Sequence, residues 1–131
     1  MPITTNLPDA VEQTLQRMKA DSSYLQNYLT RTFRATGWEI REQSVPPGFI
    51  ATYRSKGNYS FLVVAVKPTT VEIETQAVKK VDGDPRSVYK IMRTCGDLTS
   101  AQEFIDSERT RLETLVNEEY VAPVYAERRV A

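Results

Sequence analysis

Phe61-Leu62-Val63-Val64-Ala65-Val66 is an unbroken run of six apolar residues, three of them valine. A helix that crosses a bilayer needs about 20 apolar residues. Valine is also stiff at χ1 and favours a pleated strand over a helical turn. The run therefore reads as a strand that is dry on both faces. The segments on either side alternate apolar with polar or charged residues, so each has one wet face. A doubly dry strand between half-wet neighbours needs a cover on its second face, which the chain itself, a partner or a ligand could supply.

Composition narrows the options. A length of 131 residues suits a single domain, expected here as residues 1–120 with a tail at 121–131. The chain is 40% hydrophobic and 26% charged, with no apolar stretch of membrane-spanning length. Residues 1–6 lack the basic region and apolar core of a signal peptide, so no leader is expected. The single cysteine, Cys95, cannot form an internal disulfide, which points to a reducing, cytoplasmic setting.

There is no histidine. That removes the commonest general base, the commonest metal ligand and every Ser-His or Cys-His nucleophile. With one cysteine as well, no intrachain structural zinc site is expected, and no cofactor is called for. The net charge is zero but uneven: +1 over residues 1–37, +3 over 38–94 and −4 over 95–131. A mildly basic middle facing an acidic end is expected to balance within one fold, and the zero total gives no steering toward nucleic acid or an anionic membrane.

Val11, Leu15, Met18, Ser22, Leu25, Leu29 and Phe33 recur at spacings of three and four. They mark one helical stripe with a single polar interruption. Asn6 suits the N-cap, Pro8 the first turn, and Gly37 the stop. Asp21-Ser22-Ser23 could break the helix in two, but a continuous helix fits the stripe better. Strand signals follow at 38–42, 49–54, 59–66, 70–78 and 87–93, the last with a short helix as its alternative. Between them lie turn signals: Val45-Pro46-Pro47-Gly48, Ser55-Lys56-Gly57-Asn58, Lys67-Pro68-Thr69 and Asp82-Gly83-Asp84-Pro85. Such short connections predict an antiparallel meander.

A second helix is predicted from Thr99, with Gln102 completing a capping box. Ala101, Phe104, Ile105, Glu108, Leu112, Leu115 and Val116 form its face, and the helix ends between Asn117 and Tyr120. The following residues, to Arg129, are too apolar for a purely solvated tail and are expected to dock on this chain or a partner. The predicted fold is a two-layer α+β domain, α-β-β-β-β-β-α, with both helices on one face of a five-stranded antiparallel sheet.

Alternation divides the strands into an inner set (Trp38, Ile40, Phe49, Ala51, Tyr53, Phe61, Val63, Ala65, Val71, Ile73, Tyr89, Ile91) and an outer set. The outer set is Glu39, Arg41, Ile50, Thr52, Arg54, Leu62, Val64, Val66, Glu72, Glu74, Lys90 and Met92. An apolar centre inside a charged rim is the anatomy of an interface. The expected interface residues are accordingly Ile50, Leu62, Val64, Val66 and Met92. The expectation is a small non-catalytic adaptor or chaperone-like domain that binds a protein partner or itself as a homodimer.

Two alternatives draw on other residues. Tyr53, Arg54, Lys56, Tyr59, Lys79 and Lys80 could hold single-stranded nucleic acid by stacking and phosphate contact, although no RNP-type motif accompanies them. A pocket between sheet and helices, lined by Tyr24, Tyr28, Trp38, Tyr53 or Tyr89, could hold a small molecule. Weaker chemical candidates have structural explanations. Cys95 precedes a helix start but has no base to activate it, so it reads as a buried or linker residue. Glu72 and Glu74 share a strand face as strand alternation requires, and Asp82 and Asp84 fit a tight turn.

Overall fold

A computed structural model describes residues 7–33, 37–118, 124–125 and 129–130. Its elements are α1 (Leu7–Phe33), β1 (Glu39–Gln43), β2 (Gly48–Ser55), β3 (Asn58–Val66), β4 (Val71–Val81), β5 (Asp84–Cys95) and α2 (Leu98–Asn117). Two short strands, β6 (Val124–Tyr125) and β7 (Arg129–Val130), come last. Strands β1 to β5 lie side by side in chain order, each antiparallel to the next. Both helices pack on one face of this sheet, α1 over β2 and β3, and α2 over β2 to β5. The α-β5-α two-layer architecture expected from the sequence is the one observed.

Helix α1 is continuous through Asp21-Ser22-Ser23. Met18, Ser22, Leu25 and Leu29 are buried from its middle onward. The same stripe emerges into solvent toward the N-terminus, where Leu15 is 38% and Val11 64% exposed. The expected cap at Asn6 and the side chain of Phe33 lie outside the described residues. Gly37 holds the left-handed φ of +91°. Helix α2 starts earlier than its Thr99 signal. The cap is Asp97, whose carboxylate accepts the Ser100 backbone N–H at 2.7 Å. A carboxylate at a helix start gains the charge-assisted bond that threonine cannot offer, and the same bond lowers the Asp97 pKa.

The two hairpins at β2–β3 and β4–β5 close through two residues each. Lys56 (φ +55°) and Gly57 (+81°) make the first, and Asp82 (+54°) and Gly83 (+88°) the second. Paired positive φ values are the turn geometry that matches strand twist. In the first turn the left-handed residues are Lys56 and Gly57, with Asn58 already opening β3 opposite Ser55. One extra residue, Val88, forms a bulge between the Ala77–Tyr89 and Val78–Ser87 pairs.

Register corrects the expected face of β3. Ala51 pairs with Leu62 and Phe49 with Val64, while Val64 pairs with Ile73 and Val66 with Val71. Residues paired across adjacent strands share a face. Leu62, Val64 and Val66 therefore point under the helices and are 0%, 0% and 1% exposed. They cannot be outward interface residues. Phe61, Val63 and Ala65, expected inside, take the outer face and are half-buried. Each inward side chain gains about 1.5–3 kcal/mol from burial, which makes this phase the favoured one once β2 and β4 have committed Phe49, Ala51, Val71 and Ile73 to the core.

Gly48 opens β2 directly against β3. A Cβ there would lie 1.9 Å from the carbonyl oxygen of Val64. Backbone, unlike a side-chain tip, cannot move aside cheaply, so Gly48→Ala is expected to destabilise the domain by about 3 kcal/mol. Urea denaturation checks this. A loss below about 0.5 kcal/mol, the scatter of a neutral surface change, would show that the strands do not approach so closely.

Candidate functional site

Among the described residues, neither helix covers the face of the sheet away from them. Its side chains align in rows that run across the strands. One row reads Glu39, Thr52, Phe61, Gln76, Lys90, and the next Arg41, Ile50, Val63, Glu74, Met92. A third holds Ala65 and Glu72. Ile50, Phe61, Val63 and Ala65 are adjacent and half-exposed, and Met92 lies one strand further across Glu74. Charges rim this centre. Lys67 lies 3.8 Å from Glu72 and Lys90 lies 3.9 Å from Glu74. Arg54 sits over the Tyr59 ring at 5.8 Å, and the Tyr59 and Phe61 rings stack at 6.3 Å. A groove of about 280 Å³ follows Arg41, Ile50 and Arg54. Ile50 and Met92 thus stand where the sequence put them, and the centre between them is built from Phe61, Val63 and Ala65.

The basic and aromatic set does not form one surface. Arg54 and Tyr59 face outward together, but Tyr53 faces the helix side, stacked on Trp38 at 5.4 Å. Lys79 is turned inward and only 3% exposed. Its ammonium donates to the carbonyl of Leu115 at 2.7 Å and to that of Glu118, so it closes the C-terminal end of α2. Burial pulls its pKa below the ordinary lysine value, against the opposing pull of Glu118. Lys80 and Lys56 remain exposed at the two hairpin ends.

On the helix side, Glu108 is the polar member of the α2 stripe and is 2% exposed. Its carboxylate accepts from the Tyr89 hydroxyl at 2.6 Å and from Thr75 Oγ1 at 2.9 Å, with Arg111 Nε 3.8 Å away. These partners account for its burial. Burial, then the Glu108 carboxylate, push the Tyr89 pKa well above its usual value. Burial and Asp106 likewise push Tyr28 up to about 12.

Beside Glu108, a cavity of about 440 Å³ is lined by Ile91, Arg93, Glu103, Phe104 and Arg111. The Arg93 guanidinium lies over the Phe104 ring at 4.4 Å, and its Nε is buried with no hydrogen-bond partner among the described residues. The tyrosines expected to line a pocket do not gather in one. Tyr24 bonds Gln102 at the surface, and Tyr89 is spent on Glu108. The sequence signal for this cavity was the single acidic residue in an otherwise apolar stripe. Cys95 is fully buried at the end of β5, and burial raises its thiol pKa, which opposes nucleophilic use. Among the described residues, no three His, Cys, Asp or Glu side chains converge as a metal site.

Comparison with protein-family models, curated proteins and solved structures finds no match.

Because Tyr89 and Tyr28 titrate higher in the fold than in the unfolded chain, the stability they contribute is whole below pH 10 and is lost as pH rises past it. Lys79, with its lowered value, acts in the opposite direction below its unfolded pKa. Urea midpoints measured from pH 9 to 12 are expected to fall, and the fall to be shallower in Tyr89→Phe. Removing that hydroxyl also leaves a buried carboxylate short of a donor, at a cost of about 1–3 kcal/mol at pH 7. An unchanged midpoint at pH 7 would remove Tyr89 from the network.

Proposed function

We propose that this chain is a small cytoplasmic protein-interaction domain, adaptor- or chaperone-like and non-catalytic, with the open sheet face as its contact surface. The observation that carries the reading is the half-exposed cluster of Ile50, Phe61, Val63 and Ala65 on a face that neither helix covers. Apolar area of this kind, ringed by charge, is costly to leave in water and suits a protein surface of matching shape. Absence of catalysis fits a chain without histidine in which the one buried carboxylate among the described residues is already held by Tyr89, Thr75 and Arg111. No helix is long and apolar enough to cross a membrane among the described residues, and the thiol is buried and unpaired.

Val63→Lys tests the face. Val63 sits mid-strand among outward residues, so the lysine reaches solvent without opening the core. Capture of binding partners from the native host is expected to drop at least tenfold, with the circular dichroism spectrum unchanged. Undiminished capture by a folded Val63→Lys protein would move the contact surface elsewhere.

One further observation supports a small-molecule reading. Arg93 presents a buried Nε with no hydrogen-bond partner among the described residues beside the 440 Å³ cavity, where an anionic ligand could be held. Thermal-shift measurements with small carboxylates and phosphates test it. A ligand that raises the melting temperature of the native protein but not of Arg93→Ala would support binding there, and no shift across the set would end it. The nucleic-acid reading has less support, because two of its six residues, Lys79 and Tyr53, are committed to the helix side.

A further inference from the structure

The charges on the open face change sign from one side of β3 to the other in two of the three rows that cross all five strands. In one row Glu39 stands at the β1 end and Lys90 at the β5 end, with Phe61 between them. In the next, Arg41 stands at the β1 end and Glu74 beyond β3, with Val63 between them. Glu39 and Arg41 are exposed, and the Lys90 side chain is 52% exposed. A surface with this antisymmetry is complementary to a copy of itself.

We infer that the partner of this face is a second copy of the chain, stacked face to face about a twofold axis that runs along β3. The inference rests on the sheet face being the contact surface. A twofold in that direction keeps every row over its own counterpart and exchanges its two ends. Glu39 of each copy then faces Lys90 of the other, while Arg41 faces Met92, with Glu74 one strand inward from it. Phe61, Val63 and Ala65 meet their own equivalents along the axis. This is an isologous contact, in which one patch serves both partners.

The other twofold in the plane of the sheet, across the strands, stacks each strand on itself. That would set the β4 carboxylates Glu72 and Glu74 against the same pair, and like charges face to face are costly. Stacked sheets pack about 10 Å apart with strands aligned to within about 30°, which an axis tilted by about half that angle from β3 provides. Five strands about 4.8 Å apart, over about four rows, present roughly 600 Å² per copy, or roughly 1,200 Å² for the pair. That is the lower end of the range for specific interfaces. Glu74 and Lys90 touch within one chain, and the contact brings Lys90 to Glu39 of the other copy without breaking that pair.

Sedimentation at low salt, where exposed charges are least screened, tests the arrangement. The native protein is expected to approach twice the monomer mass of 14.9 kDa as concentration rises. Glu39→Lys and Lys90→Glu each put like charges at two places in the dimer, so each is expected to raise the dissociation constant about tenfold. The double exchange, E39K with K90E, restores it to within about threefold. Both side chains are exposed, so these variants fold even if Val63→Lys does not.

A native protein that stays monomeric overturns the second-copy inference. The contact-surface reading survives that result if Val63→Lys still abolishes capture of another protein, and falls with it if capture is unaffected. A dimer indifferent to both Val63→Lys and the charge variants would place self-association elsewhere, such as the exposed Val11 and Leu15 of α1. A dimer weakened by the single exchanges but not restored by the double one would rule out the axis along β3.

Discussion

Strand β3 is apolar on both faces, and the short connections on either side of it decide which face enters the core. The two-residue turn at Lys56-Gly57 sets Ser55 opposite Asn58, so each odd-numbered residue of β2 pairs with an even-numbered residue of β3. The turn into β4 sets Val66 opposite Val71 and imposes the same parity from the other side. With Phe49, Ala51, Val71 and Ile73 inward, Leu62, Val64 and Val66 must follow. A slip of one residue would exchange every side chain between the faces, and the two neighbours oppose it together. The core, the seat of both helices and the composition of the open face all depend on that agreement.

Polar contacts then fix where α2 lies on the sheet. Glu108 reaches down to Thr75 on β4 and Tyr89 on β5, Lys79 rises from β4 to the last carbonyls of the helix, and Trp38 Nε1 donates to Glu113 at 2.7 Å. Apolar packing tolerates sliding by a fraction of a turn, whereas these bonds have fixed lengths and directions. The helix is pinned in its middle and at its C-terminal end. The cavity near Arg93 lies toward its N-terminal half, beside the edge of the sheet.

Much of this was legible in the sequence, for identifiable physical reasons. The α2 stripe reads correctly at every position, Glu108 included, because a helix buried along one face repeats its periodicity faithfully. The stripe of α1 reads equally well, yet Val11 and Leu15 are exposed, since periodicity marks an apolar face without saying how much of it finds a partner. The β3 faces could not be assigned from the run itself, where both phases are equally apolar. The missing signal was the parity of the flanking turns, which the sequence did contain. Lys79 reads as a solvated turn cation because its partners are backbone carbonyls of α2, more than thirty residues away and invisible to local patterning.

The tail has a consequence of a different kind. A five-strand meander has two lateral edges, each a row of unpaired amide and carbonyl groups that invites another strand. On β5 that row is partly occupied, since Val124 and Tyr125 pair with Tyr89 and Lys90, and Arg129 and Val130 with Arg93 and Thr94. On β1 the edge is only five residues long and carries Glu39, Arg41, Glu42 and Gln43 exposed to water. One border is tiled by the chain's own end and the other is short and charged, so ribbon-like growth from sheet to sheet is discouraged at both. A molecule guarded in this way can keep sticky side chains on its broad surface without polymerising through its margins.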